Sequence, residues 1–527
     1  MMARAPVVLI GLDACDPAIA QRLAREGQLP CLAKLFAHAA RCVMRNPYGL
    51  FVSALWMTFA TGLRPDRHRY HSWDEIDVAS YERRLTTPPS AADTAFWRKL
   101  SEAGRRVAVL DVPHSKADAP VNGLQVVEWG CHDHHFGFHT WPPNRAAEID
   151  SAFGLHPVLG VDAYAARQFA PDDYAHRAGA VRTVDEDRML LDGLLRGVKA
   201  KQKFASTILA EGGWDLFINI FGDSHAIGHQ QWHLHDAGHP RFDPARAAAI
   251  GGDPIVRLYR ELDAALGETL ALVPADATVL VLLSHGMGPH YDGTHLLDEI
   301  LGRIDRFDRG TRPLRRRHPV HRAKAVVRDA WEGLVTAFAV PGRRWAAGLL
   351  PSCAEYADPV NRARQAFFSE PNNTCIAGIR LNLKGREPMG CVPPDEFGAV
   401  CTRLTEDLHA LKNFDTGAPV IGAVERSDKW YRRAADDTMP DLFVRWDRSA
   451  PIETVSSPKT GIVHAHYTNW RTGDHRPDGL LLAHGPGIPT NAMLPDMAME
   501  DLAPSIAARL GVTLEDVDGR AGLFAGR

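Results

Sequence analysis

The segment FGDSHAIGHQQWHLHDAGHP, Phe221 to Pro240, concentrates five histidines and two aspartates in twenty residues. Histidine is the commonest metal ligand and the side chain that titrates near neutral pH. His225 and His229 stand four apart, and on a helix that spacing puts both imidazoles on one face, within reach of one ion. Asp223 supplies a carboxylate just before them. His233, His235 and His239 are read as structural or substrate-facing, with His239 on the surface. Three distant stretches offer further ligands: Asp13 in VVLIGLDACDP, Ser284 and His285 in SHGMG, and His475 in GDHRPDG. The glycines of SHGMG let the backbone turn sharply and approach a ligand closely. Mixed carboxylate and imidazole donors suit Zn²⁺ or Mn²⁺, whereas an all-oxygen set would suit Mg²⁺ or Ca²⁺.

These residues need elements that bring them together. Val7–Ile10 reads as a buried strand, a continuous apolar run that enters a loop. The stretches Arg105–Pro113, Trp214–Ser224, Ala277–Gly288 and Gly479–Gly487 repeat that pattern. Helical spacing fills the intervals: PAIAQRLAREGQLPCLAKLFAHA, broken at Gly27 and Pro30, then EDRMLLDGLLRGVKAKQKFASTILAEG and PIVRLYRELDAALGETLALV. Strands alternating with helices predict an α/β fold with a central, mostly parallel sheet flanked by helices. Ligands bind beyond the carboxyl ends of such strands. Asp13, then Asp223, His225 and His229, then Ser284 and His285, and last the His475 loop are therefore expected to converge on one edge.

The chain has 527 residues, of which 45% are apolar and 24% charged. That size fits one large catalytic domain, expected over residues 1–302 and 353–527, interrupted by an insertion or cap at 303–352. The insertion carries RIDRFDRGTRPLRRRHPVHRAKAVVRDAW, basic and poor in strand signals. It is either a solvated helical excursion or a basic wall facing an anionic substrate or partner. IRLNLKGREPMG, Ile379 to Gly390, opens a smaller C-terminal subregion. The net charge of −4 gives no global pull toward nucleic acid or an anionic membrane. Eight cysteines without a CxxC pair indicate neither a zinc ribbon nor a disulfide framework. The N-terminal apolar run, interrupted at Asp13, is too short for a signal-peptide core or a membrane span. A cytoplasmic enzyme is expected, acting on a small molecule, with no nucleic acid duplex partner and with homo-oligomerisation left open.

Several stretches, taken in order, resemble the alkaline phosphatase superfamily in its type I phosphodiesterase/nucleotide pyrophosphatase branch. VVLIGLDACDP with EGQLPCLAKLFAHAA resembles the first metal-ligand loop and helix, and LFVSALWMTFATGLRPDRHRY the nucleophile segment. FGDSHAIGHQQW resembles the segment that supplies an acid and a histidine four residues later, LLSHGMG the SDHG segment, and TGDHRPDGLLLAHGPGI the last histidine segment. IRLNLKGREPMGCV is also similar to this branch. The resemblance implies an alkaline phosphatase-like fold and hydrolysis of a phosphate or sulfate ester at two zinc sites, with Mn²⁺ as the alternative ion. Asp13 and His285 would belong to the second metal, and His229 and His475 to the first.

Three positions depart from the pattern. His225 stands where the family has Asp. Ser284 replaces the aspartate of SDHG, so the second site is either weak, filled only with substrate, or completed by Asp223. The nucleophile position, four residues before Trp56, is Val52, which makes the neighbouring Ser53 the expected nucleophile, with Thr58 as a substitute inside the following helix. His132 in GCHDHHFG and Lys384 and Arg386 in NLKGRE are expected substrate contacts. A transferase or mutase with an alcohol as acceptor, and a metal-binding pseudoenzyme, are the alternatives.

Overall fold

The computed structural model describes residues 5–88, 95–131, 134–160, 183–310, 359–372, 375–434, 436–465, 467 and 471–522. In chain order its principal strands are β1 (Val7–Leu12), β2 (Ala40–Arg45), β3 (Val107–Leu110), β4 (Gly123–Val127), β5 (His139–Trp141), β6 (Leu216–Phe221), β7 (Thr278–Leu283), β8 (Gly286–Pro289), β9 (Phe367–Glu370), β10 (Ile376–Leu381), β11 (Ile421–Arg426), β12 (Leu442–Trp446), β13 (Gly473–Arg476), β14 (Gly479–His484) and β15 (Met497–Ala498). A nine-stranded sheet runs in the order β15-β2-β14-β7-β1-β6-β3-β4-β5. Its five central strands, β7-β1-β6-β3-β4, are parallel.

These strands are buried on both faces, which is why they read as continuous apolar runs. Within β1, Val8, Ile10 and Leu12 enter one core cluster while Val7 and Leu9 enter the other. One face is covered by α1 (Pro17–Arg25), α2 (Pro30–His38), α4 (Val184–Ala210) and α6 (Pro254–Leu270). The opposite face packs on α3 (Phe51–Thr61) and α9 (Leu502–Arg509). The break at Gly27 and Pro30 falls between α1 and α2, as the sequence predicts. Asp16 caps α1 by accepting from the backbone N–H groups of Ala18 and Ile19.

Two elements differ from expectation. The strand β14 runs antiparallel between β2 and β7, not parallel. The chain enters it from the carboxyl edge of β7, after β13, and a strand that begins at that edge must run back down the sheet. The segment around His475 is not a loop but β13, paired antiparallel with β8. Each strand of that ladder holds part of the site.

A second sheet, β9-β10-β12-β11, is antiparallel and packs under α7 (Leu297–Asp308) and α8 (Phe397–His409). Ile300, Leu301 and Ile304 of α7 are fully buried in that core. The helix α7 runs through Arg303, where the sequence reading starts its insertion; residues 311–352 of that insertion lie outside the described residues.

The helix α4 is started by a capping box, Thr183 with Glu186. It carries Lys201, fully buried and ion-paired to Asp111, the residue that follows β3. Asp111 also accepts from the backbone N–H groups of Trp129 and Gly130, at 2.9 and 2.8 Å. Breaking a buried pair on one side strands the other charge. Lys201→Met is therefore expected to destabilise the protein by about 3–5 kcal/mol, read by chemical denaturation, and the double variant Lys201→Met with Asp111→Leu by less.

Candidate metal and phosphoester site

The carboxyl ends of the parallel strands do converge. Asp13 follows β1, Asp223 follows β6 and opens the helix α5 (Asp223–Gln231), and Ser284 and His285 follow β7. His475 reaches the same place from β13, which α5 and β8 hold closely. A Cβ added to Gly473 would stand 2.0 Å from the carbonyl oxygen of Gly228, and one added to Gly228 would stand 2.5 Å from Met287 Cε. A side chain at position 473 would meet backbone, so only glycine allows that approach there; at position 228 the neighbour is the flexible end of Met287. The Asp16 carboxylate accepts from the Met287 N–H at 3.1 Å, tying β8 to the turn after β1.

Asp13 is almost wholly buried and accepts three hydrogen bonds. His225 Nδ1 donates to Oδ2 at 2.8 Å, Ser284 Oγ to Oδ1 at 2.8 Å, and Trp56 Nε1 to Oδ1 at 3.1 Å. Burial raises its carboxyl pKa, but His225, His285 and Ser284 outweigh it and hold the group well below the usual carboxylate range. With Nδ1 of His225 engaged by Asp13, Nε2 is the ring nitrogen that faces the other imidazoles, 2.8 Å from Nε2 of His475. Ser284 Oγ accepts from the Ala14 N–H at 3.0 Å and contacts His285 Nδ1 at 2.9 Å. The structure thus puts Ser284 in the hydrogen-bonded support around Asp13 and His285.

His225, His285 and His475 bring ring nitrogens within 4.8 Å of one another, and all three are buried. Burial pushes His285 down to about 4, and burial together with the neighbouring imidazoles holds His475 well below its ordinary value. Both rings are neutral at pH 7, the form in which imidazole binds a divalent ion. The donor set fits zinc. His229 sits on the same face of α5 as His225, ring centroids 4.7 Å apart, as the four-residue spacing requires. Its Nδ1 lies 2.8 Å from Arg471 Nε and its Nε2 lies 2.5 Å from Arg471 Nη2. His229, Asp474 and His475 form a second group of converging donors, with that guanidinium against it.

Other expected residues lie elsewhere. Asp223 and His225 are two apart on a helix, so they face opposite sides. Asp223 points to α4, where a Cβ on Gly197 would be 2.9 Å from its Oδ1 and 2.8 Å from His156. Arg386 binds Asp441 through two nitrogens, at 2.8 and 2.6 Å, and Glu387 at 2.7 Å, an ion-pair network of the smaller sheet. Lys384 is exposed nearby and His132 lies outside the described residues. His239 is buried against Tyr291 rather than on the surface.

Ser53 is the third residue of α3, buried on its first turn. Val52 packs with Tyr48 and Trp430 against the apolar cluster of Cys375, Ile376 and Phe443. Thr58 lies within α3, as expected, 3.0 Å from His68 Nε2. His68 Nδ1 accepts from the Tyr70 N–H, so in the neutral ring Nε2 carries the proton and donates to Thr58. His68 thus meets the Thr58 hydroxyl as a donor and not as a base.

Sequence reasoning missed Trp56, Asp474, His290 and Asp292. Asp474 stands beside His475 in GDHRPDG, and its position was the available signal. Burial raises the Asp474 carboxyl, but Arg471, His475 and His290 outweigh it and keep the group ionised.

The family profile of type I phosphodiesterase/nucleotide pyrophosphatase matches residues 7–478, and the chain belongs to that family of phosphoester hydrolases. The chain is similar to phosphonoacetate hydrolase from Sinorhizobium meliloti 1021, at 14% identity over 96% of each chain and a TM-score of 0.47. It is also similar to human ectonucleotide pyrophosphatase/phosphodiesterase 5, at 12% identity over 99% of this chain and 100% of that one, with a TM-score of 0.48. The murine counterpart gives 12% identity, 98% and 97% coverage and a TM-score of 0.48. Comparison with curated proteins gives no match.

Burial holds His68 at about 3, and His71, His156, His239 and His285 at about 4. Their folded values lie below the unfolded one, so the stability they contribute is complete above about pH 6.5 and is lost as pH falls toward 4. Chelator-treated protein is expected to lose stability over that window, and His285→Asn to flatten the slope, measured by urea denaturation across pH.

Proposed function

We propose that the protein is a metal-dependent phosphodiesterase/nucleotide pyrophosphatase-type hydrolase of small phosphate esters, with zinc as its ion. The observation that carries this reading is the buried trio His225, His285 and His475, backed by Asp13, at the carboxyl edge of a parallel sheet. When bound, the ion would polarise a phosphoryl oxygen and lower the pKa of a coordinated hydroxyl or water. His225, His285 and His475 would hold it.

Asp13 fixes the His225 tautomer, so that Nε2 faces the cluster, and it balances the charge that gathers there. Ser284 and Trp56 keep Asp13 in place. Among the described residues no helix is long and apolar enough to cross a membrane.

Ser53 is the proposed nucleophile. Its place on the first turn of an eleven-residue helix supports this, because backbone N–H groups and the positive end of the dipole favour an anionic phosphoryl group there. Attack by Ser53 Oγ would form a phosphoseryl intermediate and release the alcohol, and water would then free phosphate or a phosphomonoester.

Purified protein prepared without chelator is expected to hold zinc by elemental analysis, and His475→Ala to lose zinc and diesterase activity together. Retention of both would overturn the reading. Ser53→Ala is expected to keep its zinc while kcat falls by about three orders of magnitude or more. Turnover within about tenfold of wild type, roughly 1.4 kcal/mol in barrier, excludes Ser53 and leaves direct attack by water.

A further inference from the structure

Beside the imidazole trio lies a second buried donor set of different chemistry. We propose that His290, Asp292 and Asp474 form a binding site for a hard divalent cation such as Mn²⁺, distinct from the three-histidine set. One nitrogen or oxygen of each lies within 4.8 Å of the others. The site goes beyond the proposed hydrolytic reading and shares no residue with the three-histidine set, although Asp474 also belongs to the His229, Asp474 and His475 group.

The β8–β13 ladder builds it. Asp474 stands on β13 opposite Gly288, and the His290 N–H continues the ladder by donating to the Thr472 carbonyl at 3.0 Å. Residues opposite one another, and residues two apart, share a face of a ladder. Asp474 and His290 therefore project to one side. Asp292, on the loop beyond, turns back: Oδ1 accepts from the Thr294 N–H at 2.8 Å, and Oδ2 lies 2.7 Å from His290 Nε2.

The grouping is buried, and one of its imidazole nitrogens is unpartnered. His290 is 6% exposed, Asp292 1% and Asp474 not at all. His290 Nδ1 is buried and has no hydrogen-bond partner among the described residues. A buried polar atom left without a partner is costly, and a cation coordinated at that nitrogen would remove the cost. Two carboxylates and one imidazole suit Mn²⁺ better than a set of three imidazoles does. Asp474 Oδ1 also lies 3.3 Å from His475 Nδ1, so the two donor sets meet at adjacent residues. Arg471 and Arg448 are the cations that face Asp474 from outside the set.

The test uses the full-length protein, with and without one equivalent of zinc, titrated with Mn²⁺ and followed by electron paramagnetic resonance. The expected result is one bound Mn²⁺ whose spin-echo modulation shows coupling to an imidazole ¹⁴N, lost in His290→Asn. Asp292→Asn is expected to weaken Mn²⁺ by at least about tenfold with zinc content unchanged, the scale on which metal-site residues act. The absence of bound Mn²⁺, absence of nitrogen coupling, or Asp292→Asn affinity within about twofold of wild type overturns the site. Should Asp292→Asn misfold, the wild-type spectrum decides alone. Failure of the wild type to bind zinc would overturn the hydrolytic reading, while the Mn²⁺ titration without zinc still decides this one.

Discussion

One buried carboxylate organises this molecule. Asp13 sits at the end of the central strand and stays ionised because three donors from three parts of the chain converge on it: Trp56 from α3, His225 from α5 and Ser284 from the end of β7. An unpaired carboxylate in that position would be prohibitively expensive, and a paired one fixes the relative positions of everything that pairs with it. The His225 tautomer, and with it the direction of the Nε2 lone pair, follows from that constraint. So does the place of α3, the helix that carries Ser53.

Close backbone contact does the rest of the positioning. Gly473 lies against the Gly228 carbonyl, and Gly228 against Met287, so β13 can press onto α5 and β8 at once. His475 is thereby delivered to His225, and the adjacent Asp474 to the side where His290 and Asp292 lie. A single ladder of two short strands separates an imidazole-rich donor set from a carboxylate-rich one. That arrangement brings potential ligands of unequal hardness within a few residues of each other.

The smaller sheet reaches the same region from another side. Cys375, Ile376 and Phe443 cover the start of α3, and Val52 packs on them. Val52, on the first turn of α3, is apolar and faces that sheet. Arg386, from the NLKGRE stretch, is spent on Asp441 and Glu387, holding the smaller sheet together.

Much of this was legible in the residues alone. Apolar runs of strand length alternating with helical spacing determined the α/β class. The parallel order of β1, β6 and β7 then followed, with Asp13, His225, His285 and His475 at one edge. The four-residue spacing of His225 and His229 determined their shared face, since helical geometry is local. Tertiary structure alone decided what each donor faces. Asp223 turns to α4, His229 meets Arg471, and Ser284 supports Asp13. His290 and Asp292 join Asp474 only because β8 and β13 pair across nearly two hundred residues of chain. Periodicity records which way a side chain leaves its own helix or strand; its partners there are set by packing between segments distant in the chain, which no local pattern encodes.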